Sequence, residues 1–280
     1  MNIKITSDST CDLSTELLEK YNIILIPLTV IKDGKDYKDG VNITPAEIFD
    51  HVAAGGDLCS TTATNVGEYD EWFTKLTSDG SAVLHISLGS GFSSSYQNAC
   101  LAAEEFDHVR VVDSQNLSTG QGLVVLKACE LAKECESLDE LHEKVQAFTS
   151  RVEASFLLDQ LAYMVKGGRC SSVVALGANL LNLKPCIEVK DGKMSVVKKY
   201  RGNFAKSLAS YVKDRLTDRD DLDRWMLFVT RTPVKDDCME AVKNAVDAYA
   251  DFDNICWTEA GCTVSCHCGP STLGILFVRK

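Results

Sequence analysis

The first half of the chain alternates between short apolar segments and segments that carry helix signals, and this pattern constrains the fold more than any other feature. The strand-like segments cover residues 3–7, 23–31, 82–87 and 109–113, with helix-like segments between them. Strands and helices that alternate in this way predict a parallel sheet with helices on both faces. The run over residues 23–31 is almost continuously apolar, which is typical of a strand buried on both faces.

Two helix starts in this half carry complete capping signals. Thr44 and Glu47 have capping-box spacing, with Pro45 at the first helical position. Asn65 and Glu68 repeat that spacing. Further helices are predicted over residues 14–21, 93–106 and 120–135 and from residue 137.

The pattern changes after about residue 155. The turn Lys190-Asp191-Gly192-Lys193 predicts a hairpin between strands at 185–189 and 194–199. Helices are then expected from residues 203 and 234, and strands over 225–230, 254–258 and 273–278. We therefore predict an α/β domain at residues 1–155 and a smaller α+β domain at residues 156–280. No Pro/Gly-rich linker separates them, so an extensive interface is expected.

Charge and the chain ends limit the partners and the location. The 280 residues carry a net charge of −11, whereas nucleic-acid binders normally show a basic surface. An acidic surface also gains nothing at an anionic membrane, so any membrane contact is expected to be transient. The start of the chain lacks the pattern of a signal peptide, and the longest apolar stretch is too short to span a bilayer. These features predict a cytoplasmic protein.

The twelve cysteines are expected to be reduced in that compartment. Most lie in apolar contexts, where a thiol behaves as a small hydrophobic group. Cys262, Cys266, His267 and Cys268 could supply four zinc ligands, but their spacing differs from that of the usual zinc sites. On the extended strand expected here, residues 266–268 would also point to alternate faces. We therefore expect no metal.

The segment from Ile86 to Tyr96 is the strongest candidate for chemistry. It joins the carboxyl end of a strand to a helix start and contains two glycines and five serines around Phe92. Ligands bind at this edge of open parallel sheets, and helix starts bind anions. The Gly-Lys-Ser/Thr of a phosphate loop and the G-x-S-x-G of a nucleophile elbow are both absent. An anion site and a plain capping turn remain equally open on composition.

A second hydroxyl-rich segment covers residues 59–65, and neither segment contains Lys or Arg. Polyphosphates normally recruit such cations or Mg²⁺, so a weakly charged anion such as a carboxylate is favoured.

Lys166-Gly167-Gly168-Arg169 follows a short helix predicted over residues 159–165. Its glycines could simply end that helix, while Arg169 could hold a carboxylate or the domain interface. Asp8 and Asp113 end strands at the same edge and could cap nearby loops.

Taken together, these segments resemble the DegV family of bacterial fatty-acid-binding proteins over nearly the whole chain. Individually the motifs are weak, but their order and spacing are specific. They are Ser7-Asp8-Ser9-Thr10-Cys11-Asp12-Leu13, Ile86-Ser87-Leu88, Ser93-Ser94-Ser95-Tyr96-Gln97, Val112-Asp113-Ser114, Lys166-Gly167-Gly168-Arg169, Leu183-Lys184-Pro185, Asp191-Gly192-Lys193, Lys199-Tyr200-Arg201-Gly202 and His267-Cys268-Gly269-Pro270.

The resemblance implies a non-enzymatic lipid-binding protein that holds a long-chain (C16–C18) fatty acid, such as palmitate, between its two domains without any other cofactor. Carried over, the carboxylate-binding positions are Thr61, Thr62, Ser93 and Ser94. Arg169 and His267 are second candidates near the head group. The resemblance also implies a partner, an ATP-dependent fatty acid kinase that makes the acyl-phosphate for phospholipid synthesis. Two loops depart from the family pattern, since T-S-Q-P-S is replaced over residues 61–65 and S-G-T over residues 93–95.

Two alternatives remain: a serine hydrolase with Ser93 as nucleophile and His267 as base, and a lipid-responsive sensor of the same fold.

One segment of the chain differs in charge from the rest and could contact the partner. Residues 184–206 contain seven basic residues against two acidic ones, a net charge of +5, which leaves −16 for the rest. This basic strip, which includes Lys199 and Arg201, is either a solvated hairpin or a docking face for the kinase.

Overall fold

The computed structural model describes residues 2–176 and 183–280. Residues 2–151 form seven strands, six α-helices and two short 3₁₀ turns. The strands are β1 (Ile3–Asp8), β2 (Ile24–Ile26), β3 (Thr29–Lys32), β4 (Lys35–Lys38), β5 (Ser60–Thr62), β6 (Ala82–Ser87) and β7 (Val109–Asp113). The helices are α1 (Thr15–Tyr21), α2 (Pro45–Ala53), α3 (Val66–Thr77), α4 (Ser95–Ala103), α5 (Ser118–Leu131) and α6 (Leu138–Phe148).

The main sheet of this half has four parallel strands in the order β2-β1-β6-β7. Ile5 pairs with Leu84, and Ile86 pairs with Val112. Helices α5 and α6 pack against one face of the sheet, and α3 and α4 pack against the other. The predicted parallel sheet with helices on both faces is confirmed.

The single strand predicted over residues 23–31 is wrong. The chain leaves the parallel sheet at Pro27, which has no N–H to donate to a sheet. Strand β2 pairs with β1, whereas β3 pairs antiparallel with β4 and β5 in a separate three-stranded sheet. Ile26, Leu28 and Val30 are all at most 2% exposed. The run is therefore apolar because it enters two buried environments in succession.

The predicted capping boxes are both present. The Thr44 side chain accepts a hydrogen bond from the Glu47 N–H, and the Glu47 carboxylate accepts one from the Thr44 N–H. Asn65 and Glu68 repeat this exchange at the start of α3. Such reciprocal bonds satisfy amides that a helix start leaves unpaired, which explains why these two starts could be read from sequence.

The remainder of the chain forms six strands and five helices within residues 152–176 and 183–280. The strands are β8 (Val152–Leu158), β9 (Leu183–Lys190), β10 (Lys193–Arg201), β11 (Leu222–Arg231), β12 (Ile255–Glu259) and β13 (Thr272–Arg279). The helices are α7 (Ala162–Gly167), α8 (Ser171–Leu176), α9 (Phe204–Leu216), α10 (Asp236–Tyr249) and α11 (Cys262–Cys268).

These strands form a mostly antiparallel sheet in the order β10-β9-β8-β13-β11-β12. The predicted hairpin joins β9 and β10, and Asp191 and Gly192 at its turn have φ of 50° and 69°. Two successive residues with positive φ are the signature of a type I′ turn. Helices α9 and α10 cover one face of this sheet.

Helix α5 lies between the two large sheets. Its residues 123–126 are at most 1% exposed, so the helix is buried on all sides. The same core contains Phe228, Leu276 and Val278 of the six-stranded sheet. A continuous core thus joins the two halves, and the predicted domain boundary at residue 155 falls inside β8.

The extended strand expected at Cys266-His267-Cys268 is also wrong, because these residues end helix α11. A segment of seven residues gives too little periodicity to separate a short helix from a strand. All twelve cysteines are free thiols, and nine of them are buried.

Candidate functional site

A cavity lies beyond the carboxyl ends of β1 and β6, between the three-stranded sheet and α11. It encloses about 570 Å³ of space between atoms, part of which is continuous with solvent. Five of the predicted site residues line its wall, namely Thr61, Thr62, Ser93, Arg169 and His267. Much of the remaining wall is apolar and includes Leu28, Leu88, Phe92, Leu117, Met164, Met194 and Val264.

Strand β5 brings the two threonines to the cavity. Thr61 pairs with Val30 and Thr62 pairs with Thr29 in the antiparallel register of the small sheet. The Thr61 Oγ1 lies 2.8 Å from the His267 Nε2, a hydrogen bond between residues 206 positions apart. The hydroxyl segment at residues 59–65 is thus a strand with its end at the cavity, followed by the cap of α3.

Two buried or partly buried carboxylates hold the serine loop. The Asp8 Oδ2 accepts hydrogen bonds from the Leu88 N–H (2.7 Å) and the Ser87 hydroxyl (2.9 Å). Asp113 accepts a hydrogen bond from the Ser90 N–H at 3.0 Å. Both aspartates therefore cap the loop that follows β6, as their positions at strand ends indicated.

Ser93 and Ser94 differ in position. The Ser93 Oγ accepts a hydrogen bond from the Ser95 N–H at 3.1 Å and lies 2.9 Å from the Ser95 Oγ. This local bond gives the backbone an alternative to the helix, and α4 begins at Ser95 rather than at the predicted Ser93. Ser94 is exposed and does not line the cavity.

His267 is an uncharged hydrogen-bonding group at neutral pH. Burial, with a further contribution from the Arg169 charge, lowers the pKa of His267 to about 4. Its Nδ1 has no hydrogen-bond partner within the described residues and faces Gly167, where an added Cβ would come within 2.4 Å. The Nε2 is engaged with Thr61 rather than with Ser93, so the Ser–His pair that a serine hydrolase requires is not formed.

Arg169 follows a helix end at the mouth of the cavity. The short helix predicted over residues 159–165 is α7, shifted to Ala162–Gly167, and Gly168 closes it with a φ of +68°. The exposed Arg169 donates from Nη1 to the Gly167 carbonyl oxygen at 2.6 Å. The glycine pair therefore ends a helix and also places a cation at the rim.

Sequence reasoning missed the contacts that anchor α11. The buried Asp39 accepts hydrogen bonds from the N–H groups of Cys262 (2.9 Å) and Thr263 (3.1 Å). Asp12 accepts one from the Gly261 N–H at 2.9 Å, and burial raises the pKa of Asp12 to about 8. Both carboxyl groups come from the first half of the chain, and no local spacing in the sequence indicates such a pairing.

A second, apolar cavity adjoins the first. It comprises about 400 Å³ of space between α5, α11 and the six-stranded sheet, part of which is continuous with solvent. Leu117, Val264 and Cys268 line both cavities. The two spaces are therefore neighbours across a shared wall of three side chains.

The basic strip lies on β9, β10 and the start of α9. Lys184 pairs with Asp159, and Lys198 pairs with Asp214. The other five basic residues are exposed and form no ion pair with any described residue; they are Lys190, Lys193, Lys199, Arg201 and Lys206. The turn of this hairpin contacts the serine loop, because a Cβ added at Gly91 would come within 2.1 Å of the Gly192 oxygen.

Within the described ranges, 2–176 and 183–280, no group of three or more His, Cys, Asp or Glu side chains could hold a metal ion. No helix in those ranges has the length and apolar character needed to cross a membrane.

Known proteins resemble this chain over its full length. The family model described as "Uncharacterised protein, DegV family" matches residues 2–280. A DegV domain-containing protein of Clostridium acetobutylicum is 31% identical over 280 residues, covering 99% of each chain. A Thermus thermophilus structure described as fatty acid binding of a DegV family protein superposes with a TM-score of 0.91 and 27% identity, covering 100% of both chains. A stearic acid-binding protein of Eubacterium ventriosum, also 27% identical, gives a TM-score of 0.82 and covers 100% of this chain and 99% of its own.

Proposed function

Because this chain belongs to the DegV family, we propose that it binds a long-chain (C16–C18) fatty acid, with the carboxylate at Thr61, Thr62 and Ser93. One observation carries the proposal: hydroxyl groups and an uncharged imidazole meet at one end of an apolar cavity. The descriptions of the T. thermophilus and E. ventriosum proteins as fatty-acid-binding support it. The alkyl chain would extend past Leu117 into the second cavity.

The chemistry of the wall suits such a ligand. Burying one methylene is worth ~0.8 kcal/mol, so a tail of about fourteen methylenes offers on the order of 11 kcal/mol before losses. Hydrogen bonds to a charged carboxylate add about 1.5–3 kcal/mol each and set its orientation. Arg169 at the rim adds a favourable charge without closing the cavity. Tight binding thus needs no catalytic group in this chain.

The direct test is mass spectrometry of the purified, denatured protein, in which a co-purifying C16–C18 acid is expected. Fatty-acid affinity is then measured by displacement of a fluorescent lipid. The double variant Thr61→Val with Ser93→Ala should weaken binding by at least about a hundredfold, since it removes two hydrogen bonds to the carboxylate. Ser94→Ala is the matched control, because that serine is exposed outside the cavity. A protein that is empty and has no affinity for fatty acids would refute the proposal.

The basic strip supports a finer proposal, namely that the bound acid is presented to an ATP-dependent fatty acid kinase. Exposed Lys199 and Arg201, which form no ion pair with a described residue, could meet an acidic surface or the phosphates of ATP. The Gly91–Gly192 contact links this strip to the carboxylate-binding loop.

Arg201→Glu should slow acyl-phosphate formation by the partner kinase while leaving fatty-acid affinity unchanged. Lys243→Glu makes the same charge change on α10, away from the strip, and is the matched control. If the two variants support the same turnover, the strip is only a solvated surface. A fatty acid that binds but is never phosphorylated would favour the sensor alternative.

A further inference from the structure

Thr263 lines the first cavity and carries a buried hydroxyl that no described residue satisfies. The residue is 4% exposed, and its Oγ1 has no hydrogen-bond partner within residues 2–176 and 183–280. Burying a hydroxyl without a partner is unfavourable. Its N–H, in contrast, is satisfied by Asp39.

The position of Thr263 in α11 explains why the hydroxyl stays unpaired. Threonine and serine in helices commonly donate to a carbonyl about one turn earlier. Thr263 is the second residue of α11, so the carbonyl groups one turn earlier, those of Glu259 and Ala260, lie outside the helix. The Ala260 carbonyl oxygen accepts a hydrogen bond from the Ser265 hydroxyl instead, at 3.3 Å. The Thr263 hydroxyl is therefore left for whatever occupies the cavity.

The distance of Thr263 from the proposed carboxylate position indicates which part of a ligand its hydroxyl contacts. Thr263 and His267 are four residues apart and lie on one side of α11, with Cβ atoms about 5–6 Å apart. His267 contacts Thr61, which the proposed function places at the carboxylate. With C–C bonds of about 1.5 Å, the second and third carbons of the acyl chain would lie beside Thr263. A methylene there offers no hydrogen bond.

We propose that Thr263 is a specificity-determining residue that binds a hydroxyl group on carbon 2 or 3 of the acyl chain. The cavity then prefers a 2- or 3-hydroxy fatty acid to the unsubstituted acid of the same length. A neutral hydroxyl fits better than a second carboxylate, because Leu28 and Val264 of the same wall are apolar. This inference rests on the proposed function, from which it takes the position of the carboxylate.

The test compares hexadecanoic acid with 2-hydroxy- and 3-hydroxyhexadecanoic acid by competition against a fluorescent lipid. The wild-type protein should bind one hydroxy acid about fivefold to tenfold more tightly than hexadecanoic acid, the worth of one hydrogen bond. Thr263→Val keeps the side-chain volume but removes the hydroxyl, and it should abolish this preference without weakening the binding of hexadecanoic acid. Thr263→Ser keeps the hydroxyl and should retain the preference.

Three outcomes would overturn the inference. In the first, the wild-type protein binds all three acids equally, which leaves the proposed function standing. In the second, Thr263→Val weakens all three acids alike, which would place the hydroxyl at the carboxylate instead. In the third, the wild-type protein binds none of the acids, and the proposed function fails as well.

Discussion

Replacing Asp39 by asparagine should loosen helix α11 and with it the carboxylate end of the cavity. The Asp39 carboxylate accepts hydrogen bonds from the N–H groups of Cys262 and Thr263 and from the Ser9 hydroxyl, at 2.9–3.1 Å. Asparagine keeps one acceptor oxygen and turns an NH₂ group toward the remaining donors. One amide at the start of α11 is then left buried and unpaired.

The expected cost follows from these contacts. A hydrogen bond to a charged group is worth about 1.5–3 kcal/mol, and an unsatisfied buried donor costs about 1–3 kcal/mol. Loss of the negative charge at the helix start adds up to about 1 kcal/mol. We therefore expect a loss of about 3 kcal/mol in the free energy of unfolding, which a protein of ordinary stability survives.

Urea denaturation measures this loss. With a slope of about 3 kcal/mol/M, the unfolding midpoint should fall by about 1 M. Fatty-acid affinity should fall as well, because α11 carries His267, which contacts Thr61. Asp36→Asn is the matched control, since Asp36 is exposed on the neighbouring strand. If Asp39→Asn shifts the midpoint no more than the control does, the buried carboxylate does not hold α11 and the reasoning is wrong.

Three further predictions concern pH and packing. Burial raises the pKa of Asp12 to about 8, so the folded protein keeps a proton that the unfolded chain loses near pH 4. The free energy of unfolding should then fall as pH rises from about 4 to about 8, and Asp12→Asn should remove this fall. If the variant and the wild-type protein lose the same unfolding free energy between pH 5.5 and pH 8.5, the prediction is wrong. Burial, with the Arg169 charge, lowers the pKa of His267 to about 4. As pH falls, this histidine is therefore protonated in the unfolded chain before it is protonated in the folded protein. Up to about 3 kcal/mol of stability should be lost between pH 6.5 and 4, and His267→Gln should flatten that part of the pH profile of the urea midpoint relative to wild type. Gly91→Ala should lower the free energy of unfolding by about 1–3 kcal/mol, because its Cβ would clash with the Gly192 oxygen. Gly67→Ala on α3 is the control: a Cβ there meets only ordinary contacts, so the change should be neutral or stabilising in urea denaturation.

Elements specified by neighbouring residues were predicted well. The capping boxes of α2 and α3 and the Asp191-Gly192 turn depend on contacts within four residues, so their spacing is visible in the chain. The split of residues 23–31 was missed because apolar composition reports burial but not which sheet provides it. The helix at residues 262–268 was missed because its start is capped by Asp39, more than two hundred positions away.

The candidate site shows the same division. Hydroxyl-rich segments without cations favoured a weakly charged anion as ligand, and the family resemblance pointed to Thr61 and Ser93, both of which line the cavity. The sequence could not separate Ser93, which lines the cavity, from Ser94, which is exposed. Nor could it reveal Thr263, since an unpaired hydroxyl is defined by the neighbours that fail to reach it.

The sequence by itself thus determined the α/β class, most of the helices and the strands of the parallel sheet, and the residue types available to a ligand, because periodicity, caps and turns are local. Only the tertiary structure decided which of those residues meet. Thr61 reaches His267 because Asp39, directly after β4 of the small antiparallel sheet, and Asp12, in the segment after β1, both anchor the start of α11. Burial then keeps that histidine uncharged, an effect of packing that no single segment of the chain specifies.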